Sequence, residues 1–208
     1  MRVAVVTFDG FNEIDSFVAA AMINRVADSN LQALIVSPAA QVTSMNGVVV
    51  HAQAPLSFAR EADAVIIGSS RQSRDVVRTP AIMDELRLDP SRQLIASQCS
   101  GTLVLAKLGL LAGVPACTDL KTKPWVEEAG IEVIDQPFVA HCNVATAGGC
   151  LSSHYLAAWI VARLAGWRAA EPVLHWVAPV GQKREYVERA HKAIARYLPI
   201  HELIAANQ

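Results

Sequence analysis

At 208 residues, with 52% hydrophobic and 18% charged side chains, the chain fits one domain over residues 1–208 that buries a sheet between two helical layers without a disulfide or metal staple. A formal charge of −1 and the absence of any run of five Lys/Arg residues leave no broad electrostatic footprint for nucleic acid or an anionic membrane, so the expected partner is a small molecule. No stretch is long and apolar enough for a membrane span: the most apolar, residues 150–164, contains Ser152, Ser153, His154 and Arg163.

In chain order, residues 3–8 predict a strand that begins at once, without the hydrophobic region of a secretory leader, and a cytoplasmic protein is expected. A helical pattern at 14–27 and a strand at 33–37 follow. Asn46-Gly47, inside the run 42–51, predicts a hairpin with a type I′ turn. A strand at 64–68, a helix near 82–88 and a strand at 94–98 continue a βαβ rhythm, which predicts an α/β protein with a mostly parallel sheet. Leu103, Val104, Leu108 and Leu111 recur at helical spacing over 101–111. Beyond it come a short strand near 115–118, a helix near 123–129, strands at 131–134 and 138–146, a Gly148-Gly149 turn, a long apolar helix ending near Gly166, and an amphipathic helix at 185–197.

Cys99 lies where the strand 94–98 runs into a helix, at the carboxyl edge of a parallel sheet, where open α/β folds bind ligands. The helix N-terminus is expected to stabilise its thiolate and to receive a developing anion. Gly101 removes a Cβ that would obstruct close packing of helix on sheet. The pattern G-x-nucleophile-x-G is half kept, since Ser97 stands at the leading position. Cys117 and Cys150 lack this context and read as core, and Cys142, next to His141 on a predicted strand, reads as packing. The four cysteines show no C-x-x-C spacing, so neither a disulfide framework nor a metal site is expected.

The run from Ser97 through Gln98, Cys99, Ser100 and Gly101 to Gly109 and Gly113 resembles the ThiJ/PfpI (DJ-one) superfamily, a branch of the class I glutamine amidotransferase-like fold. Its pattern of nucleophile, small hydroxyl residue and glycine is similar to the isonitrile-hydratase-like branch. Residues 8–15 resemble the family's first βα loop, and residues 139–149 its strand and Gly-Gly turn. The resemblance implies a flavodoxin-like three-layer α/β/α sandwich with a nucleophile elbow, a homodimer and no cofactor. It also implies that Asp15 approaches the cysteine as an acid and base; near a predicted helix start, Asp15 and Glu13 equally suit capping.

Two departures stand out. The family's paired backbone amides usually come from a Gly-Gly, here Gly68-Ser69-Ser70; if Ser69 and Ser70 keep that backbone path, the Ser70 and Ser100 amides form an oxyanion site. Arg71 follows and either attracts an anionic substrate or points to solvent. Some branches place a histidine after the nucleophile or after the Thr of the next strand, where this chain has Ser100 and Asp119. Among His51, His141, His154, His175, His191 and His201, His154 is the one expected to line the pocket. The implied function is a cysteine-dependent enzyme acting on a small electrophile, most concretely hydration of an isonitrile to an N-formamide. The alternatives are glyoxalase-like or deglycase-like chemistry, and redox sensing through oxidation of Cys99.

Overall fold

The computed structural model describes residues 1–27 and 30–199; His201 lies outside them. Its elements in chain order are β1 (Arg2–Val6), α1 (Glu13–Ile23), β2 (Gln32–Ser37), β3 (Gln41–Thr43), β4 (Val49–His51), β5 (Ala54–Pro55), β6 (Ala64–Ile67), α2 (Ser73–Val76), α3 (Pro80–Glu85), β7 (Leu94–Gln98), α4 (Gly101–Lys107), α5 (Lys123–Glu128), β8 (Phe138–His141), β9 (Val144–Ala147), α6 (Ser153–Ala165), α7 (Trp167–Val177) and α8 (Lys183–Ile194). Short 3-10 turns lie at Leu56–Arg60, Cys150–Ser152 and Ala195–Tyr197.

Seven strands form one sheet in the order β5-β2-β1-β6-β7-β9-β8, parallel throughout except for β8. The central strands are buried on both faces, which is why they read as continuous apolar runs. Alternate side chains enter two cores. Val3, Val5, Ile66 and Ala96 pack towards α1, α6, α7 and α8, while Ala4, Val6, Val65, Ile67 and Ile95 pack towards α4, α5 and the turn Leu56–Arg60. The expected three-layer, mostly parallel sandwich is present. From β1 the chain winds outward to β2, then crosses back to β6 on the other side, so the topological switch point lies between β1 and β6. Crevices at such points open between the loops that leave the carboxyl ends of the strands.

Several local expectations change. The hairpin exists, but its connection spans residues 44–48 and positive φ occurs at Gly47 (88°) without Asn46, so the turn is not type I′. The stretch 138–146 is two strands, not one: the chain folds back at Cys142 (φ 53°) and Asn143, and β8 pairs antiparallel with β9. Cys142 is therefore exposed in a turn and does not pack. The runs 115–118 and 131–134 meet only in an isolated Ala116–Val133 bridge. α4 stops at Lys107, and α7, whose interior carries Pro172, was not visible in the apolar periodicity.

Candidate active site

β7 delivers Cys99 to the sheet edge, where it turns sharply with φ of 47°, a left-handed conformation that costs a residue with a Cβ about 1–2 kcal/mol. Backbone bonds hold the turn from both sides. The Cys99 N–H donates to the Ala147 carbonyl at 2.8 Å, and the Thr118 hydroxyl donates to the Cys99 carbonyl at 2.8 Å. Beneath the turn the Ser97 and Thr102 hydroxyls are 2.9 Å apart, and Thr102 donates to the Cys117 carbonyl. Gly101 lets α4 begin directly against the end of β6, since a Cβ there would lie 2.3 Å from the Ile67 carbonyl oxygen. Strand, strained residue and immediate helix make a nucleophile elbow in geometry despite Ser97.

Asp15 comes from the first turn of α1, whose N-cap is Asn12. Its carboxyl is fully buried. Oδ2 accepts the Ser69 hydroxyl, and Oδ1 has no oxygen or nitrogen donor among the described residues. The thiols of Cys150 and Cys99 lie against the carboxyl, and one oxygen of Asp15 and the two sulfurs are all within 4.8 Å of one another. Two soft sulfurs and one hard carboxylate oxygen also form a mixed three-donor group close enough together to hold a metal ion. Burial raises the Asp15 pKa above the usual carboxylate range, against the lowering by Ser69. Burial, and next the Asp15 charge, push the Cys99 thiol far above its ordinary range. Burial and the Asp15 charge thus work against the thiolate that the helix N-terminus is expected to stabilise. The two groups lie close enough for a proton to pass between them.

The Gly-Gly departure acquires a role. Ser69 supplies the hydrogen bond to Asp15, and its carbonyl accepts the Asn12 N–H at 3.1 Å. The Ser70 hydroxyl donates to the Asp9 carbonyl, and Arg71 N–H donates to the Gly10 carbonyl at 3.0 Å, so the loop after β6 is sewn to the loop after β1. The Ser70 amide, expected as an oxyanion donor, instead donates to the Ser100 hydroxyl at 3.0 Å, and that hydroxyl also meets Ser73 Oγ at 2.8 Å. An anion can use the Ser70 N–H only if the Ser100 side chain rotates away.

Glu13 is occupied elsewhere, accepting Ser44 Oγ and, at 2.9 Å, Asn46 Nδ2, which ties the hairpin to α1. The Ser44 hydroxyl holds its carboxyl below the ordinary value. His154 does not line the pocket. Its ring packs on Tyr155 and Tyr186 with centroids 3.9 and 4.7 Å apart, Nδ1 meets the Leu151 carbonyl, and burial holds the imidazole pKa down to about 4.

Over the sulfur lies a cavity of about 240 Å³. Cys99, Cys150, Ser69, Ser70 and Ser100 form its floor and polar wall, Met45 and Trp125 give apolar surface, and Arg71, Lys121 and Asp119 bring charge. Asp15 does not line this space; its buried carboxyl lies behind Cys99 and Cys150, with one oxygen within 4.8 Å of both sulfurs. Cys150, read as core from the sequence, is half-buried in the wall and accepts the Asn12 side-chain amide at 3.0 Å. β9 pairs beside β7, so the residues that follow Gly148-Gly149 emerge at the same sheet edge as Cys99. Cys117 stays in the core, its thiol pushed up to about 12 by burial.

Comparison with known proteins agrees with this architecture. The model of the DJ-1/PfpI family matches residues 1–163. Among solved structures, the VC2308 protein superposes with a TM-score of 0.75 at 17% identity, covering 89% of this chain and 97% of its own. A ThiJ/PfpI family protein from Pseudomonas syringae gives 0.75 at 18% identity over 92% of this chain and 86% of its own. A mutant of the DJ-1 superfamily protein STM1931 from Salmonella typhimurium gives 0.70 at 23% identity over 95% and 98%. No curated protein matches the sequence.

Proposed function

The chain belongs to the DJ-1/PfpI family, and from that premise we propose a cysteine-dependent enzyme that acts on a small electrophile, with hydration of an isonitrile to an N-formamide as its reaction. The observation that carries the reading is the buried Asp15 carboxyl set against the Cys99 sulfur at the elbow. Such a pair can pass one proton back and forth while the sulfur forms and breaks a bond.

Asp15 takes the thiol proton as Cys99 attacks the terminal carbon of the isonitrile, then delivers that proton to the same carbon, leaving a thioimidate on the sulfur. Water adds to the thioimidate carbon with Asp15 as base, one of its protons passes to the nitrogen, and the carbon–sulfur bond breaks to release the N-formamide while the other water proton stays with Asp15 and the sulfur. The proton returns to the pair, so the net change is isonitrile plus water to formamide. A cavity of about 240 Å³ suits a small molecule, and Trp125 and Met45 suit an apolar substituent on its nitrogen.

Incubation of the purified protein with an aryl isonitrile and, separately, with methylglyoxal tests this by chromatography of products. Formamide is the expected product. Lactate alone would move the assignment to glyoxalase chemistry on the same two residues, and neither product would remove the assignment of a turnover function to these substrates.

We also propose a homodimer in the cytoplasm. Ile14, Val48, Val49 and Leu151 are exposed apolar side chains on α1, on the hairpin tied to it through Glu13, and on the turn Cys150–Ser152. Grouped apolar exposure of this kind marks association surfaces. Light scattering coupled to size exclusion should give twice the chain mass, and Ile14→Glu combined with Leu151→Glu should return the mass of one chain. A monomer in the unmodified protein would refute it. No helix among the described residues is long and apolar enough to cross a membrane.

A further inference from the structure

The hydration mechanism uses Asp15 and Cys99 and leaves the third member of their group, Cys150, without a task. Its surroundings are not those of a cysteine that merely fills space. The Asn12 amide donates to its sulfur at 3.0 Å, and its sulfur lies within 4.8 Å of both an Asp15 carboxyl oxygen and the Cys99 sulfur. It is also half-buried in the cavity wall, so a solute that reaches one sulfur reaches both.

The backbone around the two thiols is cross-braced. Gln98, the residue before Cys99, pairs with Ala147 in the parallel ladder, and its side-chain amide donates to the Gly149 carbonyl at 2.7 Å, immediately before Cys150. Cys150 opens the 3-10 turn after Gly149, which has φ of 84°, and that turn leads directly into α6. Two sulfurs within 4.8 Å of one another lie close enough for side-chain rotation with a backbone adjustment to bring them towards the roughly 2.05 Å of a disulfide bond.

We infer that Cys150 is a resolving thiol for Cys99, and that the pair closes reversibly to an intramolecular disulfide when the site meets a hydroperoxide. In the first step the Cys99 sulfur attacks the terminal peroxide oxygen. The O–O bond breaks, an S–O bond forms, two electrons pass from sulfur to the peroxide, and the thiol proton leaves with the alcohol or water. In the second step the Cys150 sulfur attacks the sulfenic sulfur of Cys99, the S–O bond breaks, and the hydroxide takes up the Cys150 proton and departs as water. Two thiols and one hydroperoxide give one disulfide, one alcohol or water, and one further water. Two equivalents of a small thiol reverse the closure. One oxygen of Asp15 lies within 4.8 Å of both sulfurs and can accept the proton of each attacking thiol in turn. The consequence is protection: a sulfenic acid with a thiol beside it is captured before a second hydroperoxide converts it irreversibly to the sulfinic acid.

This inference goes beyond the hydration reading, because it requires no particular electrophilic substrate. It is tested in a Cys142→Ser background, which removes the exposed thiol able to link two molecules. The protein is treated with hydrogen peroxide in the presence of a chelator, quenched with iodoacetamide, and analysed by intact mass and peptide mapping. The expected product has lost two hydrogens, contains a linked Cys99–Cys150 peptide, and regains both thiols with dithiothreitol. Adding Cys150→Ser should instead give Cys99 carrying two oxygens, with recoverable Cys99 thiol reduced about tenfold or more after the same treatment. Accumulation of sulfinic Cys99 while Cys150 remains alkylatable in the Cys142→Ser protein would overturn the inference, whatever happens to the second variant. The readout is mass, so failure of isonitrile turnover leaves this result standing, and the converse also holds.

Discussion

Cys99→Ser is expected to keep the wild-type circular dichroism spectrum and lose aryl isonitrile turnover by about 10³-fold or more, the scale seen when a nucleophile is removed from a site that acts as a unit. Serine is nearly isosteric at the elbow and keeps every backbone bond around it. Its hydroxyl, however, cannot give up a proton to Asp15 as a thiol can. Asp15→Asn tests the other half of the pair. It retains an oxygen for the Ser69 hydroxyl and removes the base, so turnover should fall about 10²- to 10⁴-fold.

Asp15→Asn and the wild type are expected to separate in pH. The Asp15 charge is one of the causes that raise the Cys99 thiol, so removing it lowers the Cys99 pKa while burial still keeps it high. Alkylation of Cys99 by iodoacetamide should therefore begin at lower pH in Asp15→Asn than in the wild type. In the wild type, turnover should fall on the acid side as Asp15 takes up a proton above the ordinary carboxylate range, and that limb should be absent from the residual activity of Asp15→Asn. An unchanged alkylation profile would show that the carboxyl and the sulfur do not sense one another.

Gly101→Ala should cost stability out of proportion to one methyl group. The new Cβ would sit 2.3 Å from the Ile67 carbonyl oxygen and 3.0 Å from that of Gly68. Both are backbone atoms of β6 and its exit loop, and neither can rotate aside. Overpacking ordinarily costs about 1–3 kcal/mol, and with no side chain to yield the upper end applies, which for a chain of this size is a fall of roughly 6–12 °C in Tm. Gly109→Ala is the comparison. Gly109 has φ of 75° and nothing within 4 Å of a Cβ, so only the dihedral strain of about 1–2 kcal/mol should appear. Equal melting temperatures for Gly101→Ala and the wild type would mean that α4 does not seat on β6 as closely as described.

The fold was legible because its central strands are apolar along their whole length and its turns carry Gly or Asn-Gly; a burial pattern of that kind dictates a covered parallel sheet before any contact is known. Cys99 was legible because a strand, a nucleophile and a glycine in direct succession leave little choice of backbone. Cys150 was not. Its importance comes from the pairing of β9 beside β7, a contact between residues far apart in the chain that no local pattern encodes. The Ser100 hydroxyl on the Ser70 amide was hidden for the same reason. α7 was missed because Pro172 reads as a breaker, although its neighbours bury Trp167, Ala170, Val173 and Leu174 on one side.

The sheet order has a consequence for how the chain comes off the ribosome. On one side of β1 the strands are laid down outward in the order they are synthesised, β6, then β7, then β9. Until residues 144–147 emerge, β7 is an open edge, and the Ala147 carbonyl that pins the Cys99 amide does not yet exist. Closing that edge requires a contact across about half a hundred residues, which is slow relative to local helix formation. Cys99 thus spends the synthesis of residues 100–147 on an unfinished edge strand without the neighbour that sets its geometry, and the reactive turn matures well after its own residues are made.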